Sequence, residues 1–206
     1  MSAQSVATIG KDDKIPPRQR ILTAAADLFY RHGIRGVGVD AIAEAAGTNK
    51  MTLYRHFPSK DELVAEYLRQ SARATDAGWD ELKALHPGDP LAQLRAWLKD
   101  MADHMGEHGD RGCPVANAAI ELPDANHPAR RVIEECKRSQ RRRLAELCRS
   151  TGLSEPDLLA DELNLMLEGA RVTLQSVGRE GLSVRILRMS EALIAAHTPE
   201  KAARNA

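Results

Sequence analysis

Residues 39–63 read VDAIAEAAGTNKMTLYRHFPSKDEL, and this stretch decides the fold. Its pattern predicts two short helices around a glycine turn, followed by a third helix with a start signal of its own. Ala43 stands four residues before Gly47. A small side chain there lets a second helix cross closely, and glycine accepts positive φ without a steric penalty. This is the spacing of a helix-turn-helix unit.

The second short helix has an inward and an outward face. Asn49 is the predicted N-cap, and Leu53 and Phe57, four residues apart, share the inward face. The side chains left facing outward are Lys50, Met51, Thr52, Tyr54, Arg55 and His56. Two cations, a titratable histidine and further hydrogen bond donors suit phosphate oxygens and base edges in a major groove. The alternative interpretation is a solvated surface helix of an ordinary bundle.

The segment resembles the DNA-binding region of the tetracycline-repressor (TetR) family, whose members carry a run close to IAEAAGxxxxTLYxHFxSKxEL. The resemblance is close as far as about residue 65. It implies that the helix from Lys50 to His56 is the recognition helix. By position it assigns Lys50 and Met51 to base edges, Tyr54 and His56 mainly to the DNA backbone, and Thr52 and Lys60 to phosphates. Ser59 and Glu62 have the spacing of a capping box, which would hold Lys60 where a helix start favours an anion.

Two positions depart from the family pattern. Met51 stands where the family often has a glycine or another small residue, which would alter the approach to the bases. Asp40 occupies a position that contacts DNA in some members. Its carboxylate could accept a hydrogen bond from a cytosine amino group, or simply favour the helix N-terminus.

Composition and charge are consistent with a DNA-binding regulator. The 206 residues are 43% apolar with few aromatics, so Leu, Ala, Val and Ile must fill the core. The net charge of zero excludes a general polycation. Residues 14–60 nevertheless hold eight Lys or Arg against three Asp or Glu, which confines a basic footprint to the helix-turn-helix end.

The whole chain is predicted to be all-α, with an N-terminal three-helix helix-turn-helix domain and a C-terminal helical ligand-binding and dimerisation domain. The predicted segments are a disordered tail at 1–15, the DNA-binding domain at 16–62, the effector-binding and dimerisation domain at 63–197, and a tail at 198–206. Lys11 and Lys14 in the first tail form either a minor-groove arm or part of an idle segment. A long helix is predicted from Ser59 to Leu85, then helices at 90–108, 114–121, 128–150, 156–178 and 183–197.

The last two predicted helices carry apolar residues on more than one face. One face can pack within the chain while the other meets a second copy, and Gly169 would allow close approach. The predicted homodimer interface comprises Leu158, Leu165, Gly169, Val172, Ile186, Met189 and Leu193. The alternative is that both helices lie wholly inside one protomer's core. A dimer would present two recognition helices to an inverted repeat.

The resemblance further implies a cavity for a small-molecule effector in the C-terminal domain and a repressor that releases DNA when the cavity fills. Soft and polar side chains there are the candidates for its lining: Trp97, Met101, Met105, Cys113, Asn117 and Met166. Each could equally be plain core. Cys113 supports an alternative, a redox- or electrophile-sensing thiol, because it precedes Pro114 at a helix start and lies near Arg111. A purely structural thiol is the other possibility.

Other function classes receive less support from the sequence. His104 and His108 have a metal-capable spacing, but no third ligand, HExxH, phosphate loop or GxSxG motif accompanies them, so no catalytic residue, metal or cofactor is predicted. A helical adaptor that binds protein instead of DNA is the remaining class. No membrane span or secretory signal is evident, and three cysteines form no disulfide framework, so a cytoplasmic location is expected.

Overall fold

The computed structural model describes residues 15–106 and 111–199, and these residues form nine α-helices and no strand. The all-α prediction is confirmed. The helices are α1 (Pro17–His32), α2 (Val39–Ala45), α3 (Lys50–His56), α4 (Lys60–Leu85), α5 (Pro90–Gly106), α6 (Pro114–Glu121), α7 (Pro128–Ser150), α8 (Pro156–Ser176) and α9 (Leu182–Ala196). Within this part of the chain, no helix has both the length and the apolar character that a membrane span needs.

Proline marks the start of five helices. It stands in the first turn of α1, α5, α6, α7 and α8. Since proline has no N–H and a fixed φ, it fits the first turn, where backbone N–H groups have no helical partner. The sequence located α6 and α7 at their observed bounds, whereas α8 ends at Ser176 instead of residue 178. α4 continues unbroken through Gly78.

The chain divides into two compact units, and the boundary between Tyr67 and Leu68 lies inside α4. Of the predicted tails at 1–15 and 198–206, residues 1–14 and 200–206 lie outside the described residues, as does His108.

The first unit is built from α1, α2, α3 and the beginning of α4. Its core consists of side chains that are at most 5% exposed, among them Ile21, Leu22, Phe29, Ile42, Leu53, Phe57, Leu63, Val64 and Tyr67. The rings of Phe29 and Tyr67 meet at 5.7 Å between centroids with a tilt of 52°. Apolar burial on this scale holds the short helices α2 and α3, which seven residues each could not sustain alone.

The second unit has α7 and α5 packed against α8 and α9. Its core is aliphatic, and the fully buried members are Leu94, Leu98, Leu144, Leu159, Leu163, Leu167 and Ile186. Trp79 adds an aromatic ring at one side of this core. The short helix α6 lies against α7.

Candidate nucleic-acid interface and cavity

The turn between α2 and α3 is set by Gly47. Its φ of +60° lies in the left-handed region that glycine accepts without strain. The Gly47 N–H donates to the carbonyl of Glu44, and the Thr48 N–H donates to the carbonyl of Ala43. These carbonyl groups at the end of α2 therefore have hydrogen bond donors. Ala43 is 3% exposed, as expected where a second helix crosses closely. The local fold is the predicted helix-turn-helix.

α3 has the two faces that the sequence predicts. The Asn49 side chain caps the helix by accepting a hydrogen bond from the Thr52 N–H at 2.8 Å. Leu53 is fully buried and Phe57 nearly so, which fixes the helix by its inner face. On the other side Lys50, Met51, Tyr54 and Arg55 are exposed, and Met51 is 83% exposed.

The outward face of α3 is narrower than predicted. Thr52 and His56 are half-buried, and the His56 Nε2 atom is enclosed, with no hydrogen bond partner in the described part of the chain. His56 stands three residues after the inward Leu53 and directly before Phe57, so its ring lies on the border between the two faces. The prediction that all six side chains point outward is therefore wrong for His56, whereas Thr52 lies at the edge of the outward face.

Lys60 has a protein partner that the sequence did not reveal. Its ammonium donates to the carbonyl of Ile34 at 2.6 Å and lies 5.9 Å from the centroid of the Phe29 ring. Ser59 caps α4 by accepting from the Glu62 N–H at 3.1 Å. Lys60 thus joins the start of α4 to the segment after α1, in addition to any contact with phosphate.

An ion pair ties α3 to the start of α2. The Lys50 Nζ lies 3.2 Å from the Asp40 Oδ2, and both side chains are more than half exposed. Asp40 also stands in the first turn of α2, where a negative charge is favoured. The carboxylate therefore lies beside one of the cations on the exposed face of α3.

The second unit contains a cavity of about 300 Å³. Its walls come from helices α4, α5, α7 and α8, from Pro114 at the start of α6, and from the segment before α6. The lining residues are Thr75, Trp79, Trp97, Met101, His104, Met105, Gly112, Cys113, Pro114, Gln140, Leu144, Asn164, Leu167 and Arg171. The rings of Trp79 and Trp97 are stacked, with 5.3 Å between centroids and 20° between planes.

Two of the six side chains predicted to line a pocket lie elsewhere. Asn117 donates to the carbonyl of Arg111 at 2.9 Å and accepts from Gln175, so it fastens a loop. Met166 packs against the aliphatic core. The other four, from α5 and the segment before α6, do line the cavity.

The sequence analysis missed the most polar member of the lining, Arg171. A signal was available, because Asn164, Glu168 and Arg171, spaced four and three residues apart, form a polar stripe on α8. Trp79 was missed for the opposite reason. From its apolar character it was predicted to be part of the core stripe of α4. It is indeed buried in the core, and its ring also lines the cavity.

A charged cluster lies behind the cavity wall. The Glu168 Oε1 accepts from the Lys137 Nζ at 2.5 Å and from the Arg171 Nη1 at 3.0 Å. The second terminal nitrogen of Arg171 lies 3.8 Å from the Met101 sulfur, and the Lys137 Nζ lies 3.8 Å from the Cys113 sulfur. The Glu168 carboxylate is therefore paired with two cations, Lys137 and Arg171.

The cysteines occupy different environments. Burial, reinforced by the nearby Cys113, raises the pKa of the Cys136 thiol, and burial raises that of Cys148 to about 12. Cys113 is half-buried and lines the cavity, and all three residues are free thiols. Cys136 and Cys148 are consequently protonated and unreactive at neutral pH.

The segment that carries Cys113 is fastened to α8. Gly112 has a φ of +79°, and a Cβ there would lie 3.1 Å from the Gln175 side chain. The Gln175 amide donates to the carbonyl of Arg111 at 2.8 Å. These contacts hold the segment against α8 and make it one wall of the cavity.

Apolar side chains are exposed on both α8 and α9. Leu165, Val172, Val184 and Met189 are each more than half exposed. Leu158 and Gly169, which were predicted to belong to this surface, are also exposed. We call these six residues the α8/α9 surface.

Two residues predicted for the dimer interface do not lie on this surface. Ile186 is 2% exposed within the protomer's own core, so its assignment to the interface is wrong. Leu193 is half-buried against the same core. The inward row of α9 is Leu182, Ile186, Ser190 and Ile194, at intervals of four residues, and the sequence pattern did not reveal which row faced inward.

Comparison with known proteins agrees with this architecture. Residues 21–67 match the bacterial regulatory proteins of the TetR family, and residues 90–180 match the C-terminal domain of LmrA/YxaF-like transcriptional regulators. The chain belongs to the TetR family of DNA-binding transcriptional regulators. The helix-turn-helix transcriptional regulator LmrA of Bacillus subtilis is 31% identical over 163 residues, which cover 74% of this chain and 82% of that protein.

Solved structures of TetR-family members have the same fold. A regulator from Streptomyces coelicolor superposes with a TM-score of 0.83 at 29% identity, covering 89% of this chain and 96% of the other. A putative TetR regulator from Streptomyces avermitilis gives a TM-score of 0.78 at 33% identity, covering 89% and 98%. The resemblance read from residues 39–63 is thereby confirmed at the level of the family.

Proposed function

We propose that this TetR-family regulator is a homodimeric repressor that binds an inverted-repeat operator and releases it when a small molecule occupies the cavity. The observation that carries the proposal is α3, held by Leu53 and Phe57 while Lys50, Met51, Tyr54 and Arg55 are exposed. Occupancy of a promoter is sufficient for repression, whereas activation needs an additional contact with polymerase. We propose no catalytic residue and no cofactor.

Each exposed side chain of α3 has a proposed role. Lys50 and Met51 read base edges, and Tyr54 and Arg55 hold the DNA backbone. Thr52, His56 and Lys60 were also expected to contact DNA. Because they are half-buried, we assign them a secondary role at the edge of the interface.

The α8/α9 surface supports the dimer. Exposed leucine, valine and methionine side chains on two adjacent helices would bury apolar area if a second copy covered them, and Gly169 leaves room for close approach. A symmetric pair of α3 helices about 34 Å apart would then match successive major grooves of one operator.

The cavity supports the response to a small molecule. Its volume of about 300 Å³ lies at the lower end of the range for ligand sites, and its walls combine aromatic, thioether and aliphatic groups with a few polar ones. Effector binding would lower operator affinity if the DNA-bound arrangement of the dimer held the cavity in a less favourable form.

Titration of DNA with the purified full chain tests the proposal. We expect binding to the duplex upstream of its own gene, with an affinity that falls steeply with salt as counterions are released. Arg55→Ala should reduce the magnitude of the log–log salt slope by about one unit on every sequence, whereas Lys50→Ala should change the preference among bases. Arg138→Ala, an equal loss of charge on the exposed side of α7, is the control. A protein that ignores all duplexes at low salt would contradict the proposal.

Footprinting on the identified operator then tests effector release. Metabolites are screened for loss of the footprint at constant salt. The proposal expects at least one small molecule to abolish protection of both half-sites together, because the two protomers act as one unit.

A second candidate function is thiol-based sensing through Cys113. Its support is the position of this side chain, which lines the cavity with the Lys137 ammonium 3.8 Å from the sulfur. Peroxide or an electrophile should then release the operator from the wild type and not from Cys113→Ser. Unchanged DNA binding by protein whose Cys113 is shown to be modified would eliminate this candidate.

A further inference from the structure

The cavity wall carries an uneven charge. Arg171 is the one permanently charged side chain among the described lining residues. Behind it, Lys137 and Arg171 share the single carboxylate of Glu168, and both bonds end on the same oxygen. Two cations and one anion leave a net charge of +1 at this wall.

Arg171 is poorly satisfied on the cavity side. One terminal nitrogen donates to Glu168, while the other faces the thioether of Met101 at 3.8 Å, and thioether sulfur is a weak acceptor. The guanidinium side chain is 18% exposed, so water competes little for its donors. A planar fork of this kind matches the two oxygens of a carboxylate, and a single positive charge matches a monoanion.

The rest of the cavity suits a flat ring. Trp79 and Trp97 are stacked at one wall, and Met101 and Met105 add polarizable sulfur, which makes favourable contacts with aromatic rings. Leu144 and Leu167 supply aliphatic walls. A volume of about 300 Å³ is enough for one or two fused rings.

We infer that the cavity selects a planar aromatic monocarboxylate, with its carboxylate on Arg171 and its ring against the tryptophan pair. The inference rests on the proposed function only in taking this cavity to be the effector site. Lys137 and Glu168 act as positioning residues. They hold the guanidinium in place, and Glu168 also weakens the site's attraction for an anion.

The test compares acids with their neutral isosteres. Benzoate, cinnamate and 2-naphthoate are titrated into the full chain by calorimetry without DNA, each beside its amide. We expect at least one acid to bind about tenfold or more tightly than its amide, since a hydrogen bond between two charged groups is stronger than one with a neutral partner. Both tryptophans of the chain line the cavity, so binding should also change the near-ultraviolet circular dichroism of the stacked indoles.

Variants test the role of the charge in opposite directions. Arg171→Gln should abolish the preference for acid over amide. Glu168→Gln should increase it, because the competing carboxylate is gone. Arg188→Gln, on the exposed side of α9, should leave it unchanged. Urea unfolding of each variant checks the fold, and if Arg171→Gln fails to fold, the Glu168→Gln result still decides.

Several outcomes would overturn the inference. It fails if no pair binds, if every amide binds as tightly as its acid, or if the preference survives Arg171→Gln in a folded protein. Operator release is measured separately. A chain that binds the acid and still holds its operator would contradict the proposed function and leave the ligand class standing.

Discussion

Asp40 lies where it should oppose DNA binding. Its carboxylate is 3.2 Å from the Lys50 ammonium on the exposed side of the helix-turn-helix. Exposed ion pairs contribute little to stability, but a negative charge beside the exposed cations of α3 would repel phosphates and occupy Lys50. We expect Asp40→Asn to bind non-specific duplex several-fold more tightly with an almost unchanged unfolding free energy. Fluorescence anisotropy at fixed salt measures this, with Glu180→Gln as an equal charge change on an exposed residue elsewhere. Equal or weaker DNA binding by Asp40→Asn would contradict it.

Gly36 is required for steric reasons, unlike its neighbour Gly38. A Cβ at position 36 would lie 2.9 Å from the backbone carbonyl oxygen of His32, which cannot move aside cheaply, whereas nothing lies within 4 Å of one at position 38. We expect Gly36→Ala to lower the unfolding free energy by about 1–3 kcal/mol and Gly38→Ala, at the N-cap of α2, to lower it by less than about 1 kcal/mol. Urea unfolding followed by far-ultraviolet circular dichroism compares the two. Equal stabilities would contradict the steric argument.

At the scale of elements, local signals made most helices predictable. Pro114 and Pro128 fix the starts of α6 and α7, Asn49 caps α3, and Gly47 turns the chain before it, so each boundary depends on residues adjacent in sequence. The faces of α9 depended on packing with other helices, which is why Ile186 was assigned to the wrong side. The predicted outward direction of His56 was wrong for the same reason, since periodicity alone does not locate the border of a buried face.

The candidate functional residues also divide into those that a local motif predicts and those that only packing brings together. The exposed cations of α3 follow from one local motif, and a resemblance to a known family supports them. The cavity draws its lining from five helices and a loop, so its most polar member, Arg171, became evident only when α4, α5, α7 and α8 were in place. The Lys60 contact with Ile34 likewise joins residues 26 positions apart in sequence.

The end of α9 is fastened by a buried histidine, which gives this element a pH dependence. The His197 ring is 6% exposed, with Nδ1 at 2.8 Å from the Ser154 carbonyl and Nε2 at 2.9 Å from the Glu162 carboxylate. Burial by itself would lower the pKa of His197, but these two acceptors and the charge of Glu162 outweigh it and raise the pKa above 6.5. Both ring nitrogens can donate only in the protonated form.

The raised pKa predicts stability that falls on the alkaline side. The contribution of His197 is complete below the unfolded pKa of about 6.5 and is lost as the pH rises through the higher folded value. His197→Gln should flatten this part of the pH profile of unfolding free energy, while His86→Gln should retain it. Urea titrations across that range provide the measurement. A wild-type profile that rises with pH there would have the wrong sign for this account.

At the scale of the whole molecule, the proposed dimer would depend on side chains that a single chain leaves exposed to water. Leu165 and Val172 on α8 are 70% and 62% exposed. Burying each would contribute about 1.5–3 kcal/mol, and a twofold axis counts every such residue twice. A carboxylate in the same place would be buried without a partner, which is strongly unfavourable.

We therefore expect the double variant Leu165→Glu and Val172→Glu to be a folded monomer. Its operator binding should be much weaker, because a monomer contacts the operator with one α3 helix instead of two. Sedimentation equilibrium gives the mass, and circular dichroism confirms the helices. Ile120→Glu, at a side chain that is 77% exposed on α6, is the control and should remain a dimer. A double variant that stays dimeric at micromolar concentration would place the interface elsewhere on the protein.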